Sequence, residues 1–389
     1  MEVIFIFISI LNSIFVFYFA LYFFYTLKIY LLAEESSKGP DKVPSKDISV
    51  VVPAHNVESV IEKSIQSVLD QENVRIPKIV IVDDNSNAST KNNIRKVKTW
   101  DKRIGIIKLS DGKPSKAKAL LIGIKRTPTE FVALLDADTI LDKKAISRTF
   151  NYLLDKKKSY ATCLIDPVKQ KGIIYQLICY DRLFRQRILQ VVRNYFSCSN
   201  LPGCFGIFNK RTFIKTLENG FLEDLISTYR ISTKGDEVLL LKQVLAYEHE
   251  RTNLKTLIFQ RIRWTIGNIH TSPFFYRTLL KVGFVKKVIF FSYPLLWYII
   301  HYWLVFLLVM SVVYPSLISK YLIMAIGYSG LVLLSSVVIK EKIYGNPISF
   351  LLHIVVFPFC VVIALFMALY TLAEKRSFFF TKESLFARS

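Results

Sequence analysis

The stretch Ile48-Ser49-Val50-Val51-Val52-Pro53-Ala54-His55-Asn56-Val57 decides the fold of this 389-residue chain. Ile48–Val52 is a short apolar run ended by proline, the form taken by a strand buried on both faces of a sheet. Lys78–Val82, Ile104–Leu109 and Phe131–Leu135 repeat it. Between the first two runs, Val57, Ile61, Ile65, Val68 and Leu69 fall at helical spacing; between the third and fourth, Lys116–Lys125 reads as a helix. The order βαβαβαβ predicts an α/β domain with a mostly parallel sheet. Such sheets bind ligands beyond the carboxyl ends of their strands, so the residues that follow each run are the ones to inspect.

Outside this block the chain changes character. It carries 52 Lys and Arg against 30 Asp and Glu, a net charge of +22, yet 52% of its residues are hydrophobic and its mean hydropathy is positive (+0.35). Disorder is excluded, and charge and apolar surface must lie in different segments. Val3–Leu27 holds no charged residue and exceeds the ~20 residues that cross a ~30 Å hydrocarbon core. Residues 1–32 therefore read as a membrane anchor. A cleaved signal peptide is the competing reading, but the basic amino-terminal region and a small-x-small site after Tyr30 are missing. Val288–Pro315, Leu317–Ile339 and Ile348–Ala373 are each long enough to span, which makes residues 288–373 a set of about three transmembrane helices.

The segments between follow. Residues 33–47, with Ser, Gly and two Pro, read as a linker, and 48–270 as one hydrophilic domain. Residues 271–287, aromatic with interspersed Arg277 and Lys281, read as an amphipathic helix lying in the membrane interface, and 374–389 as a basic tail. The positive-inside rule places the domain in the cytoplasm at the cell membrane and the amino terminus outside, which leaves the basic tail on the side the rule disfavours. Five cysteines without CxxC spacing fit reduced thiols.

The strand ends carry the chemistry. Pro53-Ala54-His55-Asn56 follows the first run, Asp83-Asp84-Asn85-Ser86 the second, and Asp136-Ala137-Asp138-Thr139 the fourth. A lone strand-end acid such as Asp84 serves equally well as a helix cap. Asp136 and Asp138 are two apart, which turns both to one side, and paired carboxylates suit a hard cation, Mg²⁺ or Mn²⁺, shared with a diphosphate. His55, His249, His270, His301 and His353 are scattered without metal-ligand spacing, and Gly112-Lys113-Pro114-Ser115 lacks the upstream glycine of a phosphate loop.

Over Ile48–Ile269 the sequence resembles a family-2 glycosyltransferase of the GT-A fold, in the membrane-embedded branch that includes cellulose, chitin and hyaluronan synthases and ceramide glucosyltransferase. Val51-Val52-Pro53-Ala54-His55-Asn56 resembles the P-A-Y-N segment, with His55 for Tyr. Val82-Asp83-Asp84-Asn85-Ser86 resembles V-D-D-G-S, and Lys116-Ala117-Lys118-Ala119-Leu120 resembles K-A-x-A-L with Leu121 in place of its Asn. Leu135-Asp136-Ala137-Asp138 is similar to the DxD element, Gly203-Cys204-Phe205-Gly206 to the strand bordering the acceptor, Leu222-Glu223-Asp224 to T-E-D, and Gln260-Arg261-Ile262-Arg263-Trp264 to Q-x-x-R-W.

The resemblance implies a role for each. Pro53, Asn56, Asp83 and Asp84 would face the nucleoside; Lys116, Asp136, Gln260, Arg263 and Trp264 would face the donor's diphosphate and sugar. Asp138 with Asp136 would hold the metal, Gly203 and Trp264 would border the acceptor, and Asp224 would be the general base with Glu223 beside it raising its proton affinity. Arg263 offers a fork of donors suited to phosphate, while Glu250, Arg251 and Lys255 read as a solvated helix surface. The expected partners are a nucleotide-sugar donor, a UDP-sugar first, a lipid-linked or glycan acceptor and the membrane, with no nucleic acid. A processive polysaccharide synthase and a non-enzymatic basic protein binding anionic lipid or nucleic acid stand as alternatives.

Overall fold

A computed structural model of the chain describes residues 2–31, 41–58, 60–110, 114–217, 222–338 and 347–373. The basic tail, residue 32 of the anchor, residues 33–40 of the linker and residues 111–113 lie outside them. After helix α1 (Glu2–Leu31) come β1 (Ile48–Ala54), α2 (Val60–Leu69), β2 (Ile79–Asp84), α3 (Ala88–Lys98), β3 (Ile104–Leu109), α4 (Lys116–Lys125) and β4 (Phe131–Leu135). Strands β1, β2 and β4 are buried almost throughout, which is why they read as unbroken apolar runs. Alternation still operates within them: Val50 and Val52 join a core with Ile61 and Phe150, while Val51 faces Leu120 and Phe208 on the other side.

The chain continues through β5 (Thr139–Leu141), α5 (Ala145–Asp155), β6 (Tyr160–Pro167), α6 (Ile173–Leu183), α7 (Gln190–Tyr195), β7 (Phe205–Asn209), α8 (Lys210–Ile214), α9 (Glu223–Thr233) and β8 (Leu239–Glu248). The sheet order is β3-β2-β1-β4-β7-β6-β8-β5. Its first half is parallel throughout; β4–β7, β7–β6 and β8–β5 are antiparallel, so the sheet is mostly parallel with a mixed second half. This reversal matters for function. Because β7 runs against β4, Leu135 pairs with Phe205 and the Asp136 N–H donates to the Cys204 carbonyl at 2.8 Å, bringing the start of β7 beside the carboxylates that end β4.

Four apolar helices are long enough to cross a membrane, over Val3–Leu31, Phe284–Val313, Leu317–Leu334 and Pro347–Ala373. They form one bundle: Phe15 and Tyr22 of α1 share a core with Leu296, Trp303, Met324 and Tyr328, and Trp303 Nε1 donates to Asn12 Oδ1 at 2.6 Å. Lys320, His353 and His301, polar residues within these spans, are partnered or enclosed. Lys320 reaches Ser9 Oγ at 3.3 Å, His353 Nε2 pairs with the Tyr328 hydroxyl at 3.1 Å, and His301 is 1% exposed.

Two boundaries differ from the sequence reading. Helix α10 (Leu254–Lys281) runs unbroken from the Gln260–Trp264 segment through the expected interfacial segment, and the chain turns only at Val282-Gly283 before α11 (Phe284–Pro294). Pro273 interrupts one backbone hydrogen bond without ending the helix; the stop comes at Val282, whose backbone is extended (φ −96°, ψ 156°), and Gly283 caps the start of α11. The described end of the linker is also tied down: Lys144 pairs with Asp41 at 2.6 Å, Lys46 with Glu130 at 2.7 Å, and Asn151 Nδ2 donates to the Lys42 carbonyl at 2.6 Å.

Phe150 is fully buried and packs 5.1 Å from the Phe131 ring on the face of the sheet. Phe150→Ala is expected to cost about 3–5 kcal/mol of stability through lost transfer energy and cavity formation. A thermal melt in detergent should show a large fall in Tm.

Candidate active site

The reversal at β7 starts the site. Asp136 and Asp138 follow β4 and are 5% and 7% exposed, and Gly203-Cys204 lies beside them. Lys116, the first residue of α4, places its ammonium 2.8 Å from Asp136 Oδ1 and 3.1 Å from Glu223 Oε1, and donates to the Gly203 carbonyl at 2.8 Å. Gly203 leaves room for this: a Cβ there would stand 3.1 Å from Asp224 Oδ2 and 3.2 Å from Lys116 Nζ. Glu223 and Asp224 open α9, where the helix dipole favours negative charge.

Enclosure by protein and the neighbouring Glu223 carboxylate push the Asp224 carboxyl up to about 7, against the pull of Lys116. A carboxylate so poised shares its proton near neutrality. Its position depends on α10, because Gly267 has no side chain and Leu222, just before α9, fills the space; a Cβ on Gly267 would lie 2.5 Å from Leu222 Cγ. Arg263 and Trp264, four and three residues earlier, share that face of the helix.

Lys116, Asp136, Asp138, Gly203, Glu223, Asp224, Gln260, Arg263 and Trp264 all line one pocket of about 1100 Å³, counting space open to solvent. Gln260 presents a buried carbonyl oxygen without a partner among the described residues, and His249 a buried Nε2 in the same condition. Pro53, Asn56, Asp83 and Asp84 are not among the pocket's lining residues. They lie at the ends of β1 and β2, tied into local structure: Asn87 N–H donates to Asn56 Oδ1 at 2.7 Å, Ser86 N–H to Asp83 Oδ1 at 3.0 Å, and Ser115 N–H to Asp84 Oδ2 at 2.6 Å. Burial raises the Asp84 carboxyl above its ordinary value, opposed by that Ser115 bond. Asp84 thus joins the end of β2 to the residue capping α4, the helix that carries Lys116.

The reading of Glu250 and Arg251 as a solvated surface is overturned. Glu250 is 6% exposed and pairs with Arg182, which also reaches Glu248 at 2.7 Å, while Arg251 lines the pocket. They precede α10 rather than lying on it, in the short loop that follows β8. Lys255 is exposed as expected.

Sequence reasoning missed the pocket's other wall. It comes from a π-helical turn, Phe184–Leu189, and from a second, Leu295–Ile299, that continues α11. π-turns insert a residue and re-aim side chains, and they recur at functional sites. Arg185 and Gln186 from the first and Trp297 and Tyr298 from the second reach the pocket. Beneath them Asp181 is fully buried: Oδ2 accepts from Arg185 Nε at 3.1 Å and Arg261 Nη2 at 2.8 Å, and Oδ1 accepts from Trp297 Nε1 at 2.9 Å. Burial opposes its ionisation, but the Arg261 and Arg185 guanidiniums outweigh burial and hold the carboxyl far below the usual range. The i,i+4 pair Asp181/Arg185, set in an apolar stretch, was the available sequence signal. Trp264 is also less open than expected, since the Arg261 guanidinium lies 4.4 Å from its ring centroid and the Trp297 ring 5.5 Å away.

A metal would have two carboxylates here. Among the described residues no group of three or more His, Cys, Asp or Glu side chains is arranged to hold an ion. Two buried carboxylates nevertheless suit Mg²⁺ or Mn²⁺, which take one or two protein carboxylates and complete their shell with water and substrate phosphate.

Residues 49–217 match the family described as Glycosyl transferase family 2, so the chain carries a family-2 glycosyltransferase domain. Among curated proteins it is 26% identical over 262 residues to the probable glycosyltransferase YdaM of Bacillus subtilis (62% of this chain, 60% of that protein). It is 25% identical over 259 residues to the poly-beta-1,6-N-acetyl-D-glucosamine synthase of Staphylococcus aureus (64% and 60%). The putative teichuronic acid biosynthesis glycosyltransferase TuaG of B. subtilis is 26% identical over 200 residues (47% and 79%). The matched region thus spans about three fifths of the length of the first and second of these. Among solved structures, the mannosyltransferase PcManGT of Pyrobaculum calidifontis, in complex with GDP-Man and Mn²⁺, superposes with a TM-score of 0.53 at 14% identity, covering 97% of this chain and 100% of that one. The fold is GT-A-like.

Gly267→Ala drives a methyl into Leu222 and shifts the start of α9. Displacements of this kind cost on the order of tenfold to a hundredfold in rate. Steady-state sugar transfer should fall accordingly in Gly267→Ala and recover in part in the double variant with Leu222→Ala.

Proposed function

We propose that this protein is a membrane-bound, metal-dependent, inverting glycosyltransferase that moves a sugar from a nucleotide-sugar donor to a lipid-linked or glycan acceptor, with its catalytic domain on the cytoplasmic side of the cell membrane. The observation that carries the reading is the gathering of strand-end and helix-start carboxylates, Asp136, Asp138, Glu223 and Asp224, with Lys116, in one pocket beside Gln260, Arg263 and Trp264. A basic lipid- or nucleic-acid-binding protein has no use for carboxylates sequestered in a cleft.

Asp136 and Asp138 would hold Mg²⁺ or Mn²⁺, which would neutralise charge on the donor's diphosphate. Lys116 and Arg263 are cations within reach of the same end of the pocket, and the unpartnered Gln260 oxygen accepts from a sugar hydroxyl or a bound water. Asp224 removes the acceptor hydroxyl's proton as that oxygen forms the new glycosidic bond and the bond to the nucleoside diphosphate breaks. Attack opposite the leaving group inverts the anomeric centre. His55 and Asn56, near Asp84, stand where a nucleobase would approach the ends of β1 and β2, with a UDP-sugar the first donor to try; the GDP-Man of the P. calidifontis structure makes GDP-mannose the second.

Incubating the detergent-solubilised protein with labelled UDP-, GDP- and dTDP-sugars, Mn²⁺ and extracted membrane lipids tests the reading; no transfer from any donor would overturn it. EDTA should abolish transfer, and Mn²⁺ or Mg²⁺ should restore it.

Asp224→Asn should lower kcat by about 10²- to 10⁴-fold, the usual worth of a general base. Because the base works ionised and its carboxyl titrates near 7, the wild-type rate should fall as pH drops below about 7. Glu223→Gln removes the like charge and should move the midpoint of that profile to lower pH.

A further inference from the structure

The reading above leaves the acceptor's recognition open, and the pocket's second wall addresses it. Asp181 is one carboxylate facing two guanidiniums, Arg185 and Arg261, so this contact set holds a surplus positive charge away from bulk water. Arg261 is sealed in: its side chain is 3% exposed, over the rings of Trp264 and Phe357. Arg185 is the one that faces the pocket, 13% exposed, its guanidinium 4.7 Å from the Trp297 ring centroid and 5.4 Å from that of Trp264. Its Nε is committed to Asp181, and no described residue accepts a hydrogen bond from its terminal nitrogens. A guanidinium resting against two neighbouring indoles at the pocket wall, with its terminal nitrogens uncommitted, is preorganised for an oxyanion.

We propose that Arg185 binds the phosphate group of a lipid-linked acceptor at the membrane-side end of the pocket, an inference that rests on the transferase reading above. Two observations select this ligand. The aromatic lining here, Tyr293, Trp297 and Tyr298, belongs to the helical segment Phe284–Val313 that is long and apolar enough to span, and aromatic residues of this kind mark the headgroup level of a bilayer. A phosphate at that depth has its hydrocarbon tail in the membrane. The same pocket carries Asp136, Asp138, Glu223 and Asp224, which repel an anionic headgroup and accept one only with a metal between. An acceptor anchored by its phosphate at Arg185 keeps that charge off the carboxylates and leaves its hydroxyl to approach Asp224.

The test is a binding titration on the full-length protein in detergent without nucleotide sugar, read by intrinsic tryptophan fluorescence, since Trp264 and Trp297 flank Arg185. The probes are farnesyl phosphate, farnesol and inorganic phosphate. Farnesyl phosphate should bind saturably, and Arg185→Gln should raise its Kd about tenfold or more through loss of a charge-assisted contact. The Arg185→Gln variant leaves Asp181 paired one to one with Arg261; should it fail to fold, Arg185→Lys keeps the charge, and a severalfold rise in Kd reads loss of the fork. An unchanged Kd in either folded variant overturns the proposal, as does farnesol binding as tightly as farnesyl phosphate. Inorganic phosphate binding as tightly as the lipid would show a simple anion site and equally overturn it. A wild-type protein that transfers no sugar strikes the transferase reading; one that transfers normally while Arg185→Gln binds farnesyl phosphate unchanged strikes this inference alone.

Discussion

Carboxylates gathered in a partly desolvated cleft repel one another, and the Lys116 ammonium is what makes the gathering tenable. Placed at the start of α4, it touches a carboxylate after β4, another at the start of α9, and the carbonyl of Gly203. Three separate parts of the chain are thereby held to one point. The same cation counters the upward push on Asp224 without cancelling it, so the residue keeps a proton affinity near neutrality. Much of the fold serves to deliver these groups: the parallel half of the sheet supplies the strand ends, and the reversal at β7 supplies Gly203.

The pocket is shared between the domain and the apolar helices. Its carboxylates belong to the α/β domain, and its aromatic lining includes residues of a helical segment long and apolar enough to span a membrane. Asp181 joins the two, because one fully buried carboxylate holds an arginine from the first π-turn, an arginine from α10 and an indole from the second π-turn. Such a buried network is costly unless each member is satisfied, and it fixes the angle at which α10 meets the bundle. Gly267 sets the distance on the other side of α10, where Leu222 takes the space a side chain would fill. The helix carrying Gln260, Arg263 and Trp264 is therefore positioned from both faces.

Much of this was legible in the sequence. Ile48–Val52 and Phe131–Leu135 announced buried strands because both their faces are covered, and Lys116–Lys125 appeared as a helix with those limits. The four long apolar helices were legible because uninterrupted apolar length, the requirement a bilayer sets, is a local feature of the chain. Asp136, Asp138, Glu223, Asp224 and the Gln260–Trp264 segment were singled out by short motifs, and the structure brings them to one pocket. Arg182 and Glu250 escaped because a charged residue in an isolated string reads as solvated; only a partner distant in sequence, such as Glu248 for Arg182, shows that it is buried.

The sequence by itself determined the α/β domain, its flanking apolar helices and the set of acidic residues at the strand ends. These follow from local pattern: hydrophobic period, apolar length and residues adjacent along the chain. The tertiary structure alone decided that β7 reverses beside β4, that two π-turns aim Arg185 and Trp297 into the carboxylates' pocket, and that one buried aspartate is shared by two arginines. Those features depend on pairing and packing between segments up to 116 residues apart, as from Asp181 to Trp297, and no local period encodes them.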